Sequence, residues 1–256
     1  MRKVLWGDLT AAELRTLAAG DPIVVLPIGS TEQHGPHLPV QVDSLLVSEV
    51  AKRAAERAGD ETILVMPTVW TGLAEHHMGF GGTVTLDYAV FYALIRQVCL
   101  SLTRQGIRRI ALLNGHGGNI IALQLAAGEL AREIPGVVAT ATYFLLAEPR
   151  FAEILEHQAG VRHACEAETS MVLVLRPDLV DVEAMRAVDA PAEGLASPGF
   201  HRWRPVEHWS DSGVIGYPPA ATAEKGERLL EAAADAVSEA LVDKELWTPA
   251  APQITV

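Results

Sequence analysis

Apolar and polar residues alternate along this chain in blocks that predict strands and helices in turn. Short apolar runs, typical of buried strands, occur at about 22–28, 62–69, 109–113 and 137–146. Segments with apolar residues three or four positions apart predict amphipathic helices at about 6–19, 43–57, 87–105, 120–133 and 223–246. This alternation predicts an α/β fold: a three-layer α/β/α sandwich with a mainly parallel central sheet. At 256 residues we expect one domain spanning 1–256.

Candidate chemistry follows the first predicted strand directly. Glu32 and His34 lie two residues apart, so in an extended segment their side chains point the same way. Asp43 follows where the next helix should begin, and aspartate is a good N-cap. Open α/β sheets bind ligands just beyond the carboxyl ends of their strands. We therefore expect these three residues to lie in a functional site.

Two further residues complete the set of candidate ligands. His116 lies in a glycine-rich loop after the third strand, and Glu168 lies in a later helix. Mixed histidine and carboxylate sets suit Zn, Mn or Fe(II). Five ligands are too many for one zinc ion with an open position, but they suit two metals that share a carboxylate. Asp43 is the bridging candidate.

Other histidines have competing interpretations. His163 could pass a proton to a departing nitrogen, or it could be a helix-capping or surface residue. His76 and His77 are expected to form pocket wall, with a ligand role as the alternative. Walls of the pocket are expected from three segments: Ala74 to Phe80, Tyr143 to Phe144 and Trp203 to Trp209.

Charge and hydropathy narrow the function classes. The net charge of −12 argues against nucleic acid as a partner, because phosphates require basic patches. The apolar runs are too short to span a bilayer, so no membrane partner is expected. Two cysteines indicate no disulfide framework. We expect a cytoplasmic protein that acts on a small-molecule substrate.

Three motifs resemble those of the creatininase (creatinine amidohydrolase) family. They are Leu26-Pro-Ile-Gly-Ser-Thr-Glu-Gln-His-Gly-Pro-His-Leu-Pro39 with Asp43, Asn114-Gly-His-Gly-Gly-Asn119, and His163 followed by Glu168-Thr-Ser170. The stretch Gly213-Val-Ile-Gly-Tyr-Pro218 with Ala223-Glu-Lys-Gly226 is similar to the family's C-terminal part. The likeness covers nearly the whole chain in the right order.

The resemblance implies an α/β/α fold and a site for two divalent metals, Zn with Zn, Mn or Fe. It also implies hydrolysis of a C–N bond other than a peptide bond, and homohexamers built as trimers of dimers. Glu32, Asp43 and His116 match the ligands of one metal. His34 and the shared Asp43 match the second, and His163 matches the catalytic histidine.

One departure from the family pattern bears on the substrate. Creatininases carry Tyr-Glu directly after the histidine of the third-strand loop, and that Glu binds metal. Here the two positions are Gly117 and Gly118. We therefore hypothesise that Glu168 closes the second metal site, as a ligand or as a catalytic acid or base. The glycine version resembles relatives acting on other substrates, including a formamidopyrimidine deformylase and a peptidase that trims the mycofactocin precursor.

Three functions follow from these observations. The first is a dinuclear-metal amidohydrolase acting on a small cyclic amide or formamide. The second is a metallopeptidase of the mycofactocin-precursor type that removes a C-terminal peptide. The third is a nucleotide- or sugar-binding α/β protein without catalysis, which the clustering of ligand types after strand ends disfavours.

Overall fold

A four-stranded parallel sheet forms the centre of the computed structural model, which describes residues 3–188 and 202–249. In chain order the strands are β1 (Ile23–Ile28), β2 (Ile63–Val65), β3 (Arg109–Asn114) and β4 (Val137–Thr142). They lie in the order β2-β1-β3-β4. Ile28 pairs with Asn114, which pairs with Thr142. The carboxyl ends of β1, β3 and β4 therefore meet at one edge of the sheet.

Helices connect and follow these strands. In chain order they are α1 (Ala11–Ala18), α2 (Val42–Glu56), α3 (Tyr88–Arg104), α4 (Ile120–Leu130), α5 (Tyr143–Leu146), α6 (Glu148–Ala152), α7 (Glu166–Leu175), α8 (Val182–Ala187) and α9 (Ala223–Val242). None of the helices in the described ranges is both long and apolar enough to cross a bilayer.

Apolar residues of β1 alternate between two cores, one on each face of the sheet. Ile23 and Val25 pack with residues of α2, α7 and α9, whereas Val24, Leu26 and Ile28 pack with α3 and α4. Successive side chains of a strand point to opposite faces, so a strand that is apolar throughout fits only a sheet covered on both sides. The predicted α/β/α sandwich is therefore confirmed.

Two predicted helices are wrong at one end because polar caps interrupt the apolar pattern. The helix expected from Trp6 begins at Ala11, since Thr10 and Glu13 form a capping box. In it, the Thr10 hydroxyl accepts a hydrogen bond from the Glu13 N–H, and the Glu13 carboxylate accepts one from the Thr10 N–H. The last long helix ends at Val242, because the Asp243 carboxylate accepts from the Glu245 N–H and starts a separate turn.

Two predicted strands are also too long. The second is only Ile63–Val65, because regular pairing with β1 breaks after the Met66 N–H donates to Val25 O, and it resumes only at Val69, whose N–H donates to Pro27 O. The fourth ends at Thr142, and the next residues form the short helix α5. Tyr143 and Phe144 would point to opposite faces in a strand, whereas in α5 both side chains are buried.

A buried ion pair joins α9 to the first residue of α7 and, through it, to the segment that precedes α7. Glu166 is fully buried, and its carboxylate accepts hydrogen bonds from the backbone N–H groups of Glu156 and His157. Lys225 on α9 lies 2.7 Å from this carboxylate and 2.7 Å from that of Glu156. Burial lowers the pKa of Lys225, but the hydrogen bonds to both carboxylates outweigh it and raise the pKa. The pair thus anchors the stretch that contains His163.

We expect the substitution Lys225→Met to lower the free energy of unfolding by about 3–5 kcal/mol, because it leaves the Glu166 carboxylate buried without its partner. Urea unfolding followed by circular dichroism measures the change. The matched control is Lys52→Met, whose ammonium is exposed and 3.9 Å from Glu49; it should change stability by about 0.5 kcal/mol or less. Equal effects of the two substitutions would contradict a stabilising role for the pair.

Candidate metal centre

Five predicted ligands converge at the carboxyl edge of the sheet, and each is at most 4 % exposed. They come from four elements: Glu32 and His34 from the loop after β1, Asp43 from the first turn of α2, His116 from the loop after β3, and Glu168 from the first turn of α7. The parallel register aligns the two strand ends, so the loops that follow β1 and β3 lie side by side. Residues 84 positions apart in sequence therefore meet in one site.

Asp43 lies between the two histidines. Its Oδ1 is 3.3 Å from His34 Nε2, and its Oδ2 is 3.1 Å from His116 Nδ1. The expectation that Asp43 caps α2 is wrong, since the helix begins at Val42 and Gln41 is the N-cap. Because Asp43 is inside the first turn, its carboxylate points into the site and one oxygen faces each histidine.

Backbone carbonyl groups orient both imidazoles. His116 Nε2 lies 3.1 Å from the carbonyl oxygen of Leu73, and His34 Nδ1 lies 3.1 Å from that of Glu32. A carbonyl only accepts, so these two ring nitrogens carry hydrogen and donate. The other nitrogen of each ring, His116 Nδ1 and His34 Nε2, faces carboxylate oxygens. Such an arrangement, with the outer nitrogen held by a carbonyl, is typical of metal-binding histidines.

Several polar atoms at the centre have no hydrogen-bond partner within the described chain. They are Glu32 Oε1 and Oε2, His34 Nε2 and Asp43 Oδ2, and all are buried. Buried polar atoms are normally satisfied, because leaving one unpaired costs about 1–3 kcal/mol. Four in one place indicate that a partner from outside the protein chain completes the site.

The electrostatics of the site point to a cation. Burial raises the pKa of Glu32, and the charge of Asp43 adds to this effect. Burial by itself would lower the pKa of His34 and His116, but the adjacent carboxylates outweigh it and raise both well above their ordinary value. Three carboxylates in a buried site therefore demand positive charge, which either protons on the imidazoles or metal ions can supply.

The distances fit divalent metals. Two donor atoms, each about 2.1 Å from a tetrahedral zinc ion, lie roughly 3.4 Å apart. His116 Nδ1 is 3.1 Å from Glu32 Oε2 and from Asp43 Oδ2, and His34 Nε2 is 3.3 Å from Asp43 Oδ1. Glu32, His34 and Asp43 can each offer one atom within 4.8 Å of the others. The donor set of imidazole nitrogens and carboxylate oxygens suits Zn, Mn or Fe(II).

Glu168 lies on the His34 side of the site. Its Oε1 is 3.8 Å from His34 Nε2, while its Oε2 accepts a hydrogen bond from the backbone N–H of Cys165 at 3.4 Å. This second contact caps the start of α7 and holds the carboxylate in place. Glu168 therefore lies beside His34 Nε2, the nitrogen that Asp43 Oδ1 also faces.

His163 lies at the edge of the same cluster. Its backbone N–H and carbonyl both bond to Ile215, and the next residue, Ala164, is buried with a φ of 52°. Non-glycine residues rarely adopt this left-handed conformation. The imidazole Nδ1 is 3.6 Å from Glu32 Oε1. Burial, together with the neighbouring histidines His34 and His77, lowers its pKa well below the ordinary value.

His76 and His77 line the cavity, as predicted for pocket wall. His77 is buried with Nε2 3.1 Å from Glu32 Oε1, and Glu32, His77 and His163 form a second group able to hold a metal. Burial and the neighbouring imidazoles lower the pKa of His77 to about 2. His76 stacks against His116 with ring centroids 5.6 Å apart.

The cavity above these residues has a volume of about 370 Å³. Of the wall segments predicted from sequence, 74–80 contributes His76 and His77, 143–144 contributes Phe144, and 203–209 contributes Val206. Gly117 and Gly118 lie on the cavity surface. Arg162, which sequence reasoning did not single out, also lines the cavity.

Sequence reasoning also missed three buried amides around the site. Asn114 binds the N–H and the carbonyl of His116, and Asn119 joins the loop after β1 to Leu73 through Gly29 O and Leu73 N. Gln33 contacts both His77 and His163. Their positions next to predicted ligands in glycine-rich loops were the only signal in the sequence that could have revealed them.

Comparisons with known proteins agree with this geometry. A family profile described as "Creatininase: Creatinine amidohydrolase" matches residues 7–241. The chain is 31 % identical to creatinine amidohydrolase of Pseudomonas putida, over 94 % of this chain and 96 % of the relative. It is 32 % identical to the mycofactocin precursor peptide peptidase of Mycobacterium tuberculosis, over 90 % and 88 %.

A solved structure described as "Creatininase Mn" superposes with a TM-score of 0.80 at 31 % identity, covering 95 % of this chain and 99 % of that one. Both the sequence match and the structural match therefore extend over nearly the whole length. On this basis the chain belongs to the creatininase family.

Proposed function

We propose that this protein is a dinuclear-metal-dependent amidohydrolase that cleaves a C–N bond in a small cyclic amide or formamide. The observation that carries the proposal is the pair of histidines whose outer nitrogens donate to backbone carbonyls while their inner nitrogens face Asp43. Membership of a family that includes hydrolases favours catalysis over simple nucleotide or sugar binding.

The chain offers ligands for two ions that share one carboxylate. Glu32, Asp43 and His116 would hold the first, and His34, Asp43 and Glu168 the second. When bound, divalent ions polarise a carbonyl oxygen and lower the pKa of water to near neutrality. Zn with Zn, Mn or Fe fits the donor set. Burial of all five ligands excludes bulk water and so strengthens every charge interaction in the site.

His163 has the geometry of a proton carrier. Its ring lies 4.4 Å from that of His34 and lines the cavity, and its Nδ1 lies within reach of a substrate held there. Its pKa is lowered, so the imidazole is neutral. Its free nitrogen can take the proton that the water loses as it attacks the carbonyl carbon. We propose that it delivers this proton to the departing nitrogen. Its backbone bonds to Ile215 keep the ring from moving away during the reaction.

A second candidate function is a metallopeptidase that removes a C-terminal peptide. Arg162 favours it, because this is the one guanidinium among the residues that line the cavity and it forms no ion pair within the described chain. Arginine binds carboxylates through two parallel N–H groups. A free cation at the cavity mouth is suited to the terminal carboxylate of a peptide, whereas a neutral cyclic amide has no group for it.

We also propose that the chain forms a homo-oligomer, a hexamer built as a trimer of dimers. Ile121 and Leu125 support association, since they lie one turn apart on α4 and are 76 % and 52 % exposed. Apolar side chains that share one face of a helix are commonly covered in an assembly.

The first prediction from the proposed function concerns metal removal. Dialysis against a chelator should abolish hydrolysis of a panel of cyclic amides and formamides, and added Zn or Mn should restore it, because the buried carboxylates need divalent cations to act. Elemental analysis before and after dialysis should give two ions and then none per chain. Hydrolysis that persists in fully metal-free protein would contradict the proposal.

The second prediction concerns Glu168. The substitution Glu168→Ala should reduce bound metal from two ions to one per chain, because it removes the carboxylate nearest to His34 Nε2. Elemental analysis of metal-saturated protein measures this. Glu75→Ala is the matched control, since Glu75 is exposed on the segment beside His76, and it should keep both ions. Two tightly held ions in Glu168→Ala would refute the assignment.

The third prediction separates the two functions. If peptides are the substrates, Arg162→Gln should raise KM for peptides with a free terminal carboxylate by roughly 10-fold or more, consistent with about 1.5–3 kcal/mol for a charged hydrogen bond. Peptides with an amidated terminus and cyclic amides should be unaffected. Arg162→Lys keeps the charge but loses the two parallel N–H groups, so its KM for these peptides should be intermediate. A KM unchanged for free-acid peptides would rule out this role for Arg162.

A further inference from the structure

Gln33 is a buried amide between the proposed ligands Glu32 and His34, and its side chain contacts two other histidines. It is 6 % exposed. The amide nitrogen Nε2 lies 2.9 Å from His77 Nδ1, 2.9 Å from His163 Nε2 and 3.1 Å from the carbonyl oxygen of Gly213. One side chain thus contacts two of the three histidines that border Glu32.

The orientation of the Gln33 amide is fixed by its other contact. Its Oε1 accepts a hydrogen bond from the backbone N–H of Gly35 at 2.8 Å, and an N–H only donates. The NH₂ group must therefore face the histidines and Gly213. Gly213 has a φ of +78°, and a Cβ there would lie 2.3 Å from Gln33 Oε1. A side chain at residue 213 would therefore displace the Gln33 amide.

Counting hydrogens decides which nitrogen of His163 is protonated. Its Nε2 also lies 2.8 Å from the backbone carbonyl oxygen of Gln33. Since that oxygen only accepts, Nε2 carries a hydrogen and donates to it. A protonated Nε2 does not accept from the Gln33 amide. The opposite nitrogen, Nδ1, is then unprotonated in the neutral ring and lies on the side of Glu32, 3.6 Å from Oε1.

The hydrogens of the Gln33 amide also show which ring nitrogen of His77 is protonated. The two hydrogens of the Gln33 amide have two acceptors left, Gly213 O and His77 Nδ1. His77 Nδ1 is therefore an unprotonated acceptor, and a neutral ring carries its hydrogen on Nε2. That nitrogen lies 3.1 Å from Glu32 Oε1, so its hydrogen is on the side of the carboxylate.

We propose that Gln33 is a positioning residue that fixes the proton on each of two histidines: His77 presents Nε2–H to Glu32, and His163 presents a free Nδ1 toward the cavity. The importance of this arrangement for turnover rests on the function proposed above. A hydrogen on Nε2 prevents His77 from binding metal, although Glu32, His77 and His163 could otherwise hold an ion. It also leaves Glu32 Oε2 turned toward His116, 3.1 Å away.

The wild-type protein allows a direct test that does not depend on activity. Nitrogen-15 solid-state NMR of the zinc-loaded protein distinguishes protonated from unprotonated imidazole nitrogens, and His77→Gln and His163→Gln variants assign the signals. We expect His77 to be protonated on Nε2 only and His163 on Nε2 only. A proton on His77 Nδ1, or a His163 protonated on Nδ1 alone, would overturn the inference.

Substitution of Gln33 tests whether its amide determines the position of the proton on His77. In Gln33→Glu the ionised side chain only accepts, so a proton should move onto His77 Nδ1. Gln33→Met, which has similar length but no donor, should free His77 to carry its proton on either nitrogen. His163 should keep its proton on Nε2, because the backbone carbonyl of residue 33 is retained. Gln105→Glu is the control, because Gln105 is exposed at the end of α3, and its spectrum should stay as in wild type. An unchanged His77 spectrum in a folded Gln33→Glu protein would contradict the proposal.

The outcomes separate this inference from the proposed function. If hydrolysis survives complete metal removal, the metal-dependent mechanism fails, while the proton positions are still measured by NMR. If hydrolysis needs metal but His77 carries its proton on Nδ1, only the role of Gln33 fails.

Discussion

Three carboxylates held out of water in one place impose the constraint around which this structure is built. Glu32, Asp43 and Glu168 are each at most 4 % exposed, and together they require positive charge nearby. The parallel sheet brings these residues together, because its aligned strand ends place loops that are distant in sequence at one edge. The imidazoles of His34 and His116 then face these oxygens, and the adjacent carboxylates raise the pKa of both rings.

Around this charged centre lies a frame of groups that neither titrate nor bind metal. Carbonyl oxygens of Glu32 and Leu73 hold the two imidazoles, and the amides of Asn114, Asn119 and Gln33 hold the loops. Amides suit this task because they donate and accept at once without carrying charge. The frame can therefore specify the direction of each ring while leaving the electrostatic balance of the centre unchanged.

Much of this arrangement was predictable from the sequence, and the remainder was not for physical reasons. Apolar runs bounded by glycine and proline predicted the three layers of the sandwich. The placement of Glu32, His34 and His116 after strand ends indicated the site. The predicted helix and strand ends were wrong where a local cap such as Thr10, or the break in pairing after Met66, overrode periodicity. Contacts of Gln33 could not be foreseen, because they join residues 44, 130 and 180 positions away.

Gly118 limits which ligand sets this site can carry. A Cβ at this position would lie 2.4 Å from His116 Nε2 and 2.3 Å from Leu73 O, in the middle of the hydrogen bond that orients His116, and 2.8 Å from a His76 ring atom. An acidic side chain at this position thus has no room while residues 73–76 keep their present path. A carboxylate introduced here would therefore require a change in that segment as well.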